Sequence, residues 1–195
     1  MAAINNTAFE IRVSNHEFDS TANITGLYKD GEGNDDVCPA GLLCLQGSLV
    51  QNSGYPNGVN NENTWTMTAM TALPGDYPVF ACNTFNVNEI VDPVTGEVYK
   101  VNGNTLGLPI PAGKLGTFTR IDFNKGLIYR FGIGNLSAPL GANTFFTIAN
   151  GLLVPGATPP QSGAGVPFFR LLSTGNFTQG AWSAFEYVEV QACKS

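Results

Sequence analysis

Two runs rich in β-formers, TFTRIDF at residues 117–123 and LIYRFGI at residues 127–133, are joined by Asn124-Lys125-Gly126. No other stretch constrains the fold as much. Two such runs around a short loop ending in glycine read as a hairpin, with Gly126 supplying the left-handed residue. Pairing Phe123 with Leu127 sets Ile121 opposite Tyr129, Thr119 opposite Phe131 and Thr117 opposite Ile133, all on one face because strand side chains alternate. The other face then carries Phe118, Arg120 and Asp122 opposite Ile128 and Arg130. One side is oily and the other mixed, as expected of a strand pair that covers a core.

The rest of the chain repeats this character. Charged residues make up only 12%, against 23 Gly, 12 Pro and 13 Phe, a balance that favours strands and turns over helices. No long window carries a helical stripe. Residues 7–13 alternate as a first strand, and residues 64–71 (TWTMTAMT) predict Trp65, Met67 and Ala69 inward with Thr66 and Thr68 outward. Residues 17–36 and 51–63 read as loops. The apolar stretch 37–50 returns to the core. Shorter strands are expected within 78–91 and at 98–101. Residues 143–149 and 152–154 flank Asn150-Gly151, a second hairpin signal, and strands at 167–172 and 181–192 close the chain. Many short strands with frequent turns indicate an all-β fold. The expected form is an antiparallel β-sandwich, jelly-roll-like, or a distorted barrel with long Gly/Pro/Asn-rich loops. A length of 195 residues suits one domain, residues 7–195, preceded by an arm of residues 1–6.

Charge excludes one class of partner. The net charge is −6 and the nine Lys and Arg are scattered, whereas a phosphate backbone calls for clustered cations. No apolar run approaches a membrane span, so no membrane partner is expected. The start, Met1-Ala2-Ala3-Ile4-Asn5-Asn6, lacks a basic leader, and the expectation is a product made and kept in the cytoplasm. In that setting Cys38, Cys44, Cys82 and Cys193 are read as reduced, buried thiols.

Each candidate for chemistry has a plainer competitor. Asp30, Glu32, Asn34 and Asp36 place oxygen donors at alternate positions, the spacing a calcium loop uses. The stretch lacks the following glycine and distant glutamate of such a loop, so a solvated acidic loop is preferred and no cofactor is expected. The single histidine, His16, has no Gly-x-Ser-x-Gly nucleophile elbow to serve. Glu186 and Glu189 have opposite strand parity and form no carboxylate pair on one face. If Arg120 and Arg130 are cross-strand neighbours, either Asp122 lies between them as a structural cluster or an acidic partner docks there. The aromatic residues, among them Trp65, Trp182, Phe145, Phe146, Phe168 and Phe169, read as core.

Several phrases carry a resemblance: Ala81-Cys82-Asn83-Thr84-Phe85-Asn86-Val87-Asn88-Glu89, Asp92-Pro93-Val94-Thr95-Gly96-Glu97-Val98-Tyr99-Lys100, Asn104-Thr105-Leu106-Gly107-Leu108-Pro109, Tyr129-Arg130-Phe131-Gly132-Ile133-Gly134-Asn135-Leu136 and Gly175-Asn176-Phe177-Thr178. Over about the last two-thirds of its length the chain resembles a family of small virion proteins of tailed bacteriophages and prophages, encoded near the capsid gene. The resemblance implies a non-enzymatic decoration or auxiliary head protein on the capsid surface. Its implied partners are the major capsid protein and copies of itself, as a trimer or other small oligomer. It assigns no functional residues. Contact candidates are Leu106, Leu108 and Ile110 in the Pro-broken segment 106–111, residues 152–160, residues 1–6, and Arg120 and Arg130. The alternatives are a receptor- or glycan-binding module of a fibre or spike, with Trp182, Trp65 or Tyr55 facing solvent, a tail or connector component, and a virion-borne glycan hydrolase with two convergent acids.

Overall fold

A computed structural model of the chain describes residues 7–12, 23–50, 64–71, 78–83, 89–91, 98–100, 109–160, 165–179 and 183–195. The strands are β1 (Phe9–Arg12), β2 (Asn23–Lys29), β3 (Leu43–Leu49), β4 (Thr64–Ala69), β5 (Val79–Cys82), β6 (Glu89–Val91), β7 (Val98–Lys100), β8 (Leu115–Arg120), β9 (Ile128–Gly132), β10 (Phe145–Ala149), β11 (Leu152–Gly156), β12 (Pro167–Gln179) and β13 (Ser183–Lys194). A single 3₁₀ turn, Ile133–Asn135, interrupts them among the described residues. The fold is all-β. No helix is long and apolar enough to cross a membrane among the described residues.

Two sheets carry the architecture. One is a closed barrel in the order β2-β4-β3-β5-β8, with β2 parallel to β4 and the other neighbours antiparallel. The other is an open six-stranded sheet in the order β1-β9-β13-β12-β10-β11, and β6 and β7 form a separate ribbon. Period-two alternation explains how the sheets stack. In β5, Phe80 and Cys82 point into the barrel with Cys38, Cys44, Met67, Ile110 and Phe118. Val79 and Ala81 point the other way and pack with Phe131, Phe146, Phe169, Val188 and Val190 of the open sheet. Both faces of β5 are covered, so all four of its residues are buried. There are accordingly two cores: one fills the barrel, and the other lies between the barrel wall and the open sheet.

The hairpin expected at residues 117–133 does not form. β8 pairs with β2 and β5 in the barrel, whereas β9 pairs with β1 and β13 in the open sheet. The connecting residues are a corner between sheets. Ile121 N donates to Val79 O at 2.8 Å, and Asp122 Oδ1 accepts from the backbone N of Asn124 and Lys125 at 2.9 and 3.2 Å. Such an Asx turn bends the chain without aligning its flanks. Gly126 does take the left-handed conformation, with φ of 63°, and its carbonyl accepts from Gln191 Nε2 at 3.1 Å, which seats the corner against β13. In β8 the inward residue is Phe118. Thr119, also buried, donates through its hydroxyl to Asn23 Oδ1 at 2.7 Å.

The Asn150-Gly151 hairpin forms between β10 and β11, with φ of 50° and 73° at its two turn residues, the mirror-image conformation that such a turn requires. Its tip also joins the sheets. Gly151 N donates to Met70 O at 2.8 Å, Met70 N to Leu43 O at 3.0 Å, and Leu43 N to Gly151 O at 2.9 Å. β2 lies within the stretch expected to be loop. Its Gly26 is a packing device: a Cβ there would collide with Met67 and with Phe118. On β4, Met67 is fully buried as expected, while Trp65 and Ala69 are half-buried against the barrel core.

Candidate functional site

Sheet parity sorts the open sheet into an inner, apolar face and an outer, polar one. On β13, Val188 and Val190 face the core, so Tyr187, Glu189 and Gln191 share the outer face. The register places Arg130 of β9 directly opposite Glu189, with Glu10 of β1 opposite Arg130 on the far side. β9, β13 and β12 thereby assemble a polar cluster where the long β12–β13 hairpin leaves the sheet. Arg130 Nε donates to Glu189 Oε2 at 2.9 Å. The Arg130 guanidinium also lies 4.6 Å from the centre of the Tyr187 ring. Ser173 Oγ donates to Glu189 Oε1 at 3.4 Å. Glu189 is 6% exposed, a carboxylate that needs this company to remain charged. Tyr187 is paired with Gly175, and its ring occupies the space above that residue, so that a Cβ on Gly175 would come within 2.6 Å of the Tyr187 hydroxyl. A second polar link runs alongside, Arg170 Nη2 donating to Gln191 Oε1 at 2.6 Å.

These bonds define a braced, charge-balanced surface. Arg130 is where the sequence drew attention, but its carboxylate partner is Glu189, far away in the chain. Asp122 instead caps the corner and pairs with Lys125. Arg120 sits exposed at the end of β8 in the other sheet, so the expected Arg120–Asp122–Arg130 cluster does not exist. Glu186 is exposed where the β12–β13 hairpin passes beyond β9, whereas Glu189 is buried in the polar cluster, so the two form no carboxylate pair.

The acidic loop is locally satisfied. Asp30 Oδ1 accepts from the backbone N of Glu32 and Asn34 at 2.9 and 2.8 Å, and these bonds, led by the one from Asn34, hold its carboxyl below the usual range. Asp35 pairs with Lys29, and Asp36 Oδ1 accepts from Val37 N at 2.7 Å. Asn34 Nδ2 donates to Asp30 Oδ2 at 3.2 Å, and no metal-holding group of three acidic, His or Cys side chains occurs among the described residues.

Ile110 corrects the contact list. It is fully buried inside the barrel, bridged to Cys38 by paired backbone hydrogen bonds of 2.9 Å, and it packs on Gly116. It therefore belongs to the core and not to an interface. Leu106, Leu108, residues 1–6, Tyr55, Trp182 and His16 lie outside the described residues. Within 152–160, Leu153 is buried in the core between the sheets and residues 157–159 are exposed. All four cysteines are free thiols: Cys38, Cys44 and Cys82 are packed inside the barrel, and Cys193 is half-buried. Burial pushes the Cys38 and Cys82 thiols well up, away from the thiolate that would be reactive.

Comparison with family models, with curated proteins and with solved structures finds no match to this chain.

Proposed function

We propose that this chain is a non-enzymatic structural protein of a bacteriophage virion, a decoration or auxiliary head protein that binds the outer capsid lattice and copies of itself. The resemblance of its sequence phrases supplies the virion setting. The observation that carries the reading is the contrast between the two sheets. The barrel is closed and its thiols and large apolar residues are sealed within, while the six-stranded sheet is open-ended and sends out a long two-stranded ribbon. A closed barrel removes edges, and an open sheet presents them to neighbours. The polar cluster at the ribbon's root fits the same role, because Arg130 and Glu189 neutralise each other and stiffen a surface.

A lattice multiplies a modest contact, so each copy needs only a small interface. The exposed loop 157–159 beside edge strand β11, and Arg120, are the described surfaces that remain candidates for it. The test is to add purified protein to capsids lacking it and to image the particles. Density that follows the lattice symmetry supports the proposal. Binding to glycans with no density on the shell would replace it with the fibre reading.

A further inference from the structure

The β12–β13 hairpin is much longer than the sheet that holds it. β12 meets β10 only at Phe169 and Arg170, with Leu171 N donating to Thr144 O at 2.8 Å as the last bond on that side. β13 meets β9 only from Tyr187 to Gln191. Beyond those points the two strands pair with each other alone among the described residues, through Asn176↔Glu186, Phe177↔Phe185, Thr178↔Ala184 and Gln179↔Ser183. Residues 176–179 reach roughly 13 Å past the sheet at the usual strand rise, and from residue 173 onward the outer edge of β12 has already left β10. Leu172, Ser173, Thr174 and Asn176 are exposed.

A ribbon of two strands is marginal by itself, and an open strand edge is a template for another strand. Proteins that keep such edges apart place Lys, Pro or a bulge on them. Here the register shift lies at the root, between Leu171 and Ser173, and the Ser-Thr-Gly-Asn-Phe-Thr-Gln segment that follows has neither Lys nor Pro. Charge singles out the occupant. The chain carries a net charge of −6, so two copies repel on balance, yet no charged residue lies between Arg170 and Glu186. The ribbon is where two copies approach without opposing like charges. A strand paired antiparallel with its own copy closes on itself, which makes the contact two-fold.

We propose that the outer edge of β12, residues 173–179, pairs antiparallel with the same segment of a second copy about Asn176, joining two ribbons into one four-stranded sheet. This deepens the self-association part of the proposed function and needs nothing from the shell.

The experiment is light scattering across a concentration series on the full chain, with two variants. Wild type is expected to reach twice the monomer mass. Thr174→Lys/Asn176→Lys, changed at two exposed positions, is expected to weaken association by roughly tenfold or more while its circular dichroism and melting temperature match wild type. Asn176→Cys in a Cys193→Ser background is expected to form a disulfide between copies under mild oxidation. Wild type that stays monomeric throughout, a lysine variant that associates like wild type, or a dimer in which Asn176→Cys does not cross-link would overturn the inference. A monomer that still decorates capsids would sink this inference alone and leave the shell reading intact.

Discussion

Asn135 holds Ala8. Its side-chain Oδ1 accepts from Ala8 N at 3.1 Å, its Nδ2 donates to Ala40 O at 2.8 Å, and the residue is 1% exposed. One buried amide thus ties the start of β1 to the segment that enters the barrel. Gly41 is the neighbour that makes room, with φ of 77° and with Asn135 Nδ2 only 2.8 Å from where a Cβ would stand. Asn135→Ala leaves a backbone N–H and a carbonyl buried without this partner. The expected loss is about 2–3 kcal/mol in urea unfolding. Hydrogen exchange at Ala8 and Gly132, whose N–H donates to Ala8 O, should accelerate before exchange in β12 and β13 does.

Gly151→Ala tests the junction between the sheets. With φ of 73° and a Cβ position 2.6 Å from Leu42 Cδ1 and 3.0 Å from Leu43 O, the substitution combines a left-handed backbone with a clash against backbone. About 2–4 kcal/mol of destabilisation is expected in thermal or urea melts. A loss below about 1 kcal/mol would mean that the tip is not seated as described.

For Arg130 and Glu189 a double-mutant cycle is informative. Arg130→Met strands a carboxylate that is only 8% exposed at its side chain, and the partly exposed arginine, at 20%, moderates the effect. A loss of about 2–3 kcal/mol is expected for the single change. Arg130→Met/Glu189→Met should recover most of it, because two apolar side chains replace a desolvated pair. Additive losses in the cycle would contradict the coupling.

Alkaline pH should unfold the protein. Burial raises Tyr28 and Tyr129 from 10.0 to about 12 and raises the Cys38 and Cys82 thiols from 9.0. Groups raised on folding contribute stability that is fully present below their unfolded values and is lost as pH climbs toward the folded ones. Stability should be flat below about pH 8 on account of these groups, fall first as unfolded thiols ionise, and fall again above about pH 10. Urea midpoints across that range measure it. Cys38→Ala/Cys82→Ala should remove most of the earlier decline, leaving the smaller part that the half-buried Cys193 thiol contributes, and keep the later one.

What the sequence disclosed follows the range of the forces involved. The Asn150-Gly151 turn was legible because its conformation is set by two adjacent residues. The 117–133 hairpin was misread because both runs are genuine strands, and only their partners, β2, β5, β1 and β13, decide which sheet each joins. β2 was read as loop because Gly26 looks like a turn residue until Met67 and Phe118 are seen packed on it. β12 was expected to end at Leu172, and the structure carries it on through Ser173, Thr174, Gly175 and Asn176 to Gln179 as an extended strand. At the candidate site Arg130 was visible and Glu189 was not named as its partner, since nothing local links residues so far apart. Ile110, between two prolines, read as part of a contact segment and is instead a plug of the barrel.

The central claim is attachment to a shell by a protein that does no bond-making. Sedimenting capsids that lack the protein with increasing amounts of it tests that claim most directly. The account predicts saturable co-sedimentation at a ratio fixed by the lattice, with no change in the capsid protein's covalent integrity. Protein that remains in the supernatant at every ratio, or capsid chains that are cleaved or modified on mixing, would contradict it.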